Sequence, residues 1–558
     1  MKSLLPFICL LFTVYVQGQS YQQLTDSAWT IMRQATDSAT RQAMQQKALD
    51  LYEKAFSRFP REKDGVSLYK AGYLAGVLEK KEAAFNYLEQ AVDKQEWGIV
   101  LGRYANNEFA NLVHDERWKQ LLQKATHNKT AFIRALLQYQ QGLEKQAMDK
   151  RIPINATDNG QAIYQKIRAY NQFPAIGKQA VSMSLPLHDS VTTPYLVYLP
   201  LHYNPKQSYP LLFFLHGGVR NTTSFPDYTD ASWGEGWNRF YTQYATANNV
   251  IMVYPNGNRR YNWMTPDSGF FMVPEILRRV KQLFNVDDNR IFISGHSNGA
   301  SGSFAYLLKQ PAPFAGFFGF NTKPKVFTGG TFIRNILNRS FMNVSTDEDY
   351  YFPPAANDTL SALMRRIGAD YQDYRFNGFP HWFPAFDTSE GAYKTIFHRV
   401  TTTQRNPLAT ELYWECDDTR YGTCDWLQIT GLDTTGHRAP WHDSLNFTIH
   451  EWKNYNDKDS LITLDTLAYA FSFPRRSGAV KAQYANNIFS LETSQVKSLR
   501  IRISPDMVDI TRPVIVRVNG KEAFKGKVQY NKAFILDHFN ATADRKTIWI
   551  DKVDVVVR

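Results

Sequence analysis

The chain has 558 residues, too many for one hydrophobic core, and its length predicts two to four domains at roughly 100–200 residues each. Its composition, 43% hydrophobic and 21% charged, is that of globular protein and excludes wholesale disorder. The net charge of +12 comes from 64 basic and 52 acidic residues that are interspersed, with no dense Lys/Arg tract, so nucleic acid is not an expected partner and the surplus reads as a solvated surface with a weak pull towards acidic polymers.

In chain order, "MKSLLPFICLLFTVYVQGQS" carries one Lys, an apolar run from Leu4 to Val16, and small or polar residues at Gly18–Ser20. This is the layout of a secretory signal over residues 1–19, and its apolar stretch is short for a membrane span. A secreted or periplasmic location follows as an expectation, and no later segment predicts a membrane span. Cys9 lies inside the apolar run, which leaves Cys416 and Cys424, expected to sit on a hairpin and to pair as a disulfide in an oxidising compartment.

Residues 20–150 are rich in Ala, Gln, Leu, Lys and Glu and predict an all-α domain. Ala48, Tyr52 and Ala55 recur in shifted form as Ala84, Leu88 and Ala91, a pattern that resembles tetratricopeptide repeats, with an ordinary helical bundle as the alternative. "NLVHDERWKQLLQK" would close the stack, and such a domain is able to hold a protein partner. From 177 to 402 the periodicity changes. "YPLLFFLHGG", "NNVIMVYPNG" and "NRIFISG" read as buried strands, with helical stretches such as "VPEILRRVKQLF" between them. Alternation of this kind predicts a mostly parallel sheet with helices on both faces. Residues 403–558 predict an all-β, sandwich-like domain of short strands, with Asn519-Gly520 as a hairpin turn.

The chemistry centres on Gly295-His296-Ser297-Asn298-Gly299, between a buried strand and a helix. The spacing is G-x-S-x-G in its required context, where a serine projects from a strained strand-to-helix turn and the flanking glycines allow close backbone approach. Serine is a weak nucleophile at neutral pH, so an orienting acid and a base are expected downstream. Asp347, Glu348 and Asp349 follow a strand-like run. Asp349 is the preferred acid, Asp347 the alternative, and Glu348 is expected to be solvated. His381 lies among turn residues before a helix starting near Ser389 and is the candidate base, whereas His398 falls inside that helix and reads as packing or surface. An oxyanion needs backbone donors: the amide of Asn298, and one from Gly217, Gly218 or Val219 in "LHGGVRN".

"YLVYLPLHYNPKQSYPLLFFLHGG", "NVIMVYPNGN", "DDNRIFISGHSNGASG" and "GFPHWFP" resemble the α/β-hydrolase esterases grouped with polyhydroxybutyrate depolymerases and feruloyl or acetyl-xylan esterases. The resemblance covers residues 177–400. It implies triad roles for Ser297, Asp349 and His381, no metal or organic cofactor, and esters of polysaccharide or polyester-like compounds as substrates. Trp263 and Trp382 are candidate ring-binding residues near the site, although most aromatics of such a domain are core. Two alternatives keep different parts of this reading. One is a serine peptidase of the prolyl-oligopeptidase type; the other is an extracellular scaffold with a vestigial hydrolase core.

Overall fold

A computed structural model describes residues 19–34, 38–102, 104–188, 191–229 and 239–557. The expected signal segment, apart from its last residue, lies outside the described residues. The chain divides into two compact units, Met1–Ala135 and Leu136–Arg558.

The first unit is helical. Its main helices are Tyr21–Gln34, Ser38–Arg58, Gly65–Val77, Lys81–Asp93 and the start of the long Glu116–Asp149. Small and apolar residues at helical spacing meet in one core, with Ala48, Tyr52 and Ala55 beside Leu68, Ala84, Leu88 and Ala91. The third of these helices begins at a true cap, since Asp64 accepts the amide of Ser67 at 2.8 Å and the hydroxyl of Tyr21 at 2.7 Å.

The second unit is built on an eight-stranded sheet. Its strands are β1 (Ala180–Pro186), β2 (Thr192–Tyr198), β3 (Tyr209–Leu215), β4 (Ile251–Pro255), β5 (Val286–Gly295), β6 (Gly316–Phe320), β7 (Ser340–Glu348) and β8 (Tyr371–Pro380). Their order is β1-β2-β4-β3-β5-β6-β7-β8, antiparallel at the β1/β2 and β2/β4 pairings and parallel across the rest. Strand side chains alternate between faces. In β3, Leu211, Phe213 and Leu215 enter one core with the helices Met272–Leu283, Asn298–Lys309 and Pro354–Ile367, while Leu212 and Phe214 enter another with Arg239–Asn248 and Glu390–Thr402. Burial on both faces explains why these strands are continuous apolar runs. Among the described residues, no helix is long and apolar enough to cross a membrane.

The C-terminal region is β-rich. A five-stranded sheet joins β9 (Glu411–Cys416), β14 (Gly478–Ala485), β15 (Ile488–Ser494), β17 (Val514–Val518) and β18 (Lys521–Gly526). A four-stranded sheet joins β10 (Thr423–Cys424), β11 (Leu427–Leu432), β16 (Val496–Ile503) and β19 (Asp551–Val556). The two share a core around Trp414, Trp426, Phe489, Leu499 and Ile501. A separate hairpin pairs β12 (Thr448–Tyr455) with β13 (Leu461–Tyr469). Asn519 and Gly520 form the expected turn, with φ of 50° and 80°.

Three features depart from the sequence reading. The region is not all-β: it contains the helix Lys532–Thr542, started by Asn531, whose side chain accepts the amide of Phe534. Residues before the α/β segment join the core of the C-terminal sheets, through Ile163 and Ile167 of the helix Gly160–Ala169. Cys416 and Cys424 are free thiols rather than a disulfide. Both are buried, and desolvation pushes the Cys416 thiol up to about 12, so they pack as small apolar side chains.

A buried ionic seam joins the C-terminal region to the α/β segment. Lys281 contacts Asp288 at 2.7 Å and Asp544 at 3.7 Å; Arg405 holds Asp544, and Arg545 reaches Asp288 at 3.2 Å. Lys309–Asp417 and Arg339–Asp425 extend it at 2.9 and 2.6 Å.

Candidate active site

Strand β5 ends at Gly295, and the helix Asn298–Lys309 begins three residues later. Between them Ser297 adopts φ 58° and ψ −120°, a conformation that costs a non-glycine residue about 1–3 kcal/mol. Backbone bonds hold it there: Ser297 N–H donates to Phe320 O at 3.0 Å, and Gly299 N–H to His296 O at 2.8 Å. The flanking glycines are required by space. A Cβ on Gly299 would sit 1.7 Å from Leu215 O, and one on Gly295 would sit 2.3 Å from the Gly299 carbonyl carbon.

Asp349 immediately follows β7. Its Oδ1 accepts the Nδ1–H of His381 at 2.6 Å and the amide of Tyr351 at 2.9 Å. His381 immediately follows β8, and its imidazole Nε2 has no hydrogen-bond partner among the described residues. Ser297 and His381 line one cavity of about 1030 Å³, together with Gly217, Gly218, Asn298 and Tyr350. The alternative acid, Asp347, does something else: its Oδ1 accepts the amides of Gly378 at 2.8 Å and Phe379 at 3.4 Å, bracing the chain just before the histidine. Glu348 is exposed, and His398 is exposed on its helix.

The main chain of His381 is held from below by two side chains that the sequence did not point to. Asn321 Nδ2–H donates to His381 O at 2.7 Å, and His296 Nε2–H donates to the same oxygen at 2.8 Å. Burial, and then the neighbouring His381, push the His296 pKa down to about 3, so its ring is neutral and serves as a fixed donor. The sequence signal for Asn321 was its place directly after β6, where a residue at φ 51° turns its side chain out of the strand.

The glycine loop after β3 lies against the serine. A Cβ on Gly217 would be 3.6 Å from Ser297 Oγ, and Gly218 has φ +69°. His216 holds this loop, because Gly257 N–H donates to its Nε2 at 3.0 Å and its Nδ1–H donates to Gly217 O at 2.7 Å. In a planar trans peptide the Gly218 N–H must point away from that carbonyl. Val219 is fully buried. Asn298 opens its helix, where an amide has no intrahelical acceptor. Gly217 and Asn298 thus both border Ser297.

Residues 192–324 match the Esterase family model. This segment is an esterase domain. No curated protein matches the chain. Several solved structures are similar to it. A thermostable esterase shares 20% identity over 41% of this chain and 64% of its own, at a TM-score of 0.33. A ferulic acid esterase shares 19% over 40% of this chain and 97% of its own, at 0.32. An S-formylglutathione hydrolase from Agrobacterium tumefaciens shares 16% over 41% and 97%, at 0.31. The assignment as a serine ester hydrolase of the α/β-hydrolase fold rests on the matched segment.

Around the esterase domain's cavity the surroundings are aromatic and basic. Tyr350 and Tyr351 pack on His381 with ring centroids 4.8 and 5.3 Å away. The hairpin β12–β13 reaches the same rim: Tyr455 is 5.7 Å from the Tyr350 ring and stacks on Trp382 at 6.4 Å, and Lys453 Nζ–H donates to Asp347 O at 2.6 Å. Of the two candidate tryptophans, Trp382 is partly exposed at this rim. Trp263 is 1% exposed, wedged against His216 and Gly302, and is a packing residue.

Proposed function

We propose that the esterase domain cleaves carboxylic esters through an acyl-enzyme in which Ser297 is the nucleophile, His381 the general base and Asp349 the residue that orients it. The observation that carries this reading is the 2.6 Å His381–Asp349 contact, which leaves the other imidazole nitrogen unbonded on a cavity lined by Ser297. Ser297 Oγ attacks the ester carbonyl carbon while its proton passes to His381 Nε2. The Nδ1–H contact to Asp349 keeps Nε2 as the acceptor and stabilises the imidazolium that forms. The oxyanion is met by the amide of Asn298 and by that of Gly218 or Val219; loss of one such donor costs roughly 3–4 kcal/mol of transition-state stabilisation. Collapse of the intermediate expels the alcohol, which takes the proton from Nε2. Water then repeats the cycle and frees the acid. Nε2 carries no bond to the serine at rest, and the contact tightens when substrate fills the cavity.

The rim formed by Trp382, Tyr455 and Tyr350 supports a ring-bearing substrate, and on this reading the esters belong to polysaccharide or polyester-like compounds. Residues 1–19 would export the chain to a secreted or periplasmic location. The small-residue contacts of the first unit support tetratricopeptide-like helix pairs over 20–150 that hold a protein partner. The core shared by the two C-terminal sheets supports a sandwich-like domain over 403–558, following the catalytic segment 177–402.

A fluorophosphonate probe tests the reading. Labelling of the full chain that disappears in Ser297→Ala, with a fall of at least roughly a thousandfold in hydrolysis of short aryl esters, is expected. Labelling that survives the substitution would overturn the assignment of the nucleophile. An absence of both labelling and hydrolysis in the unaltered chain would favour a scaffold.

A further inference from the structure

The buried Lys281, Lys309 and Arg339 of the seam each have a carboxylate partner. Arg220, Arg259 and Lys323, at or near the cavity, have none among the described residues. Arg220, just beyond the glycine loop, and Arg259, beyond β4, line the cavity with Ser297 and His381. Lys323 follows β6 and stands behind Tyr351, its Nζ 5.8 Å from that ring and 4.3 Å from the Trp452 ring of the hairpin. Among the described residues none of the three has a carboxylate partner; Arg220 rests only over the Phe327 ring, at 5.6 Å. No carboxylate of the described residues lines the cavity, and Asp349, buried beside it, is committed to His381 and the Tyr351 amide.

Arg220 and Arg259 are exposed to the cavity, whereas Lys323 is half-buried and costly to keep charged without an anion. Two like charges, Arg220 and Lys325, face the Lys323 ammonium, and burial with this repulsion pushes its pKa down to about 8. Contact with an aromatic face offsets only part of the lost hydration of an ammonium group. Tyr351 is itself fixed, its hydroxyl accepting Asn298 Nδ2–H at 2.9 Å and contacting Ser301 Oγ at 3.1 Å, so the basic groups flank a rigid wall beside the serine. Unpaired cations beside a reactive centre are the complement of a charge on the substrate.

We infer that the ester cleaved at Ser297 carries a carboxylate, which Arg220 and Arg259 hold while the ester carbonyl lies over the serine, with the Lys323 charge behind Tyr351 adding to the attraction. The substrate class is then an acidic ester, with the carboxylate on either the acyl or the alcohol part. The inference rests on the ester-hydrolase reading above.

Two matched pairs of substrates test it with the full chain. On the acyl side, the mono-para-nitrophenyl ester of glutaric acid is compared with para-nitrophenyl valerate. On the alcohol side, para-acetoxybenzoate is compared with its methyl ester. In one pair the anionic member is expected to have a kcat/KM roughly tenfold or more above the neutral one, carried mainly by KM. The preference should shrink as salt is added. In Arg220→Gln and in Lys323→Met the anionic-to-neutral ratio should fall towards one, while Arg220→Lys, which keeps the charge, should retain most of it. Thermal melts of each variant separate misfolding from lost recognition. Hydrolysis with a ratio near one in both pairs, or a ratio indifferent to Arg220→Gln and Lys323→Met, would overturn the inference and leave the esterase reading standing. Failure to hydrolyse any of the four esters would instead overturn the esterase reading itself.

Discussion

Asn321 donates its Nδ2–H to the main-chain oxygen of His381 over 2.7 Å, so the end of β6 holds the residue proposed as the base from beneath. The other bond to that oxygen comes from His296, the neighbour of Ser297. The histidine's position is thus set from the serine's own turn and from the next strand.

Asn321→Ala should leave His381 held by His296 alone. Displacement of a catalytic group by about 1 Å costs on the order of a hundredfold. A fall of roughly 10- to 100-fold in kcat on a short aryl ester, with KM little changed, is expected from steady-state kinetics. A variant with full kcat would show that the contact is only structural.

Asp349 and Asp347 should separate sharply. Asp349→Asn leaves the imidazole in the wrong tautomer and should cut kcat by about ten-thousandfold. Asp347→Asn keeps an oxygen able to accept the Gly378 and Phe379 amides and should cost less than about tenfold. Equal losses in the two variants would contradict the assignment.

The ionic seam should govern stability. Asp544→Ala leaves the buried Arg405 without its carboxylate, while Lys281 keeps Asp288, and removal of one partner from such a network costs about 3–5 kcal/mol. Urea unfolding of the variant should show this as a lower midpoint. A change below about 1 kcal/mol would mean that water reaches the seam.

Acid should destabilise the fold well above the range where carboxylates titrate. His296 and His538 are held neutral by burial, each pushed down to about 3, and His216 is lowered by burial as well. Because the unfolded chain binds these protons near pH 6.5 and the folded chain does not, each site's contribution is complete above that pH. It is lost as pH falls towards the folded value, at up to about 1.4 kcal/mol per pH unit. Asp544, lowered by Arg405 and Lys281, adds a loss only below its unfolded value. Denaturation midpoints measured from pH 7.0 to 4.5 should fall steadily, and less steeply in His538→Asn. A flat profile would contradict the burial of these rings as neutral groups.

The sequence by itself determined what contiguous residues can encode. A buried strand, five residues with two glycines and a helix were enough to single out Ser297, because that turn's geometry is local. Apolar runs identified the parallel strands, because burial on both faces removes the polar alternation, and Asn519-Gly520 announced its own turn. Tertiary structure decided the rest. Position along the loop ranked Asp349 ahead of its two acidic neighbours, but only the end of β7 beside β8 sets its carboxylate against His381. Asn321, Lys323 and Arg220 lie on loops whose meeting depends on strand order, and Trp263 and the two cysteines became core through their surroundings. The hairpin that brings Tyr455 and Trp452 to the site comes from more than 60 residues beyond His381. Hydrophobic spacing carries no record of such distant partners, since contacts between separate strands and loops are fixed by how the sheets stack.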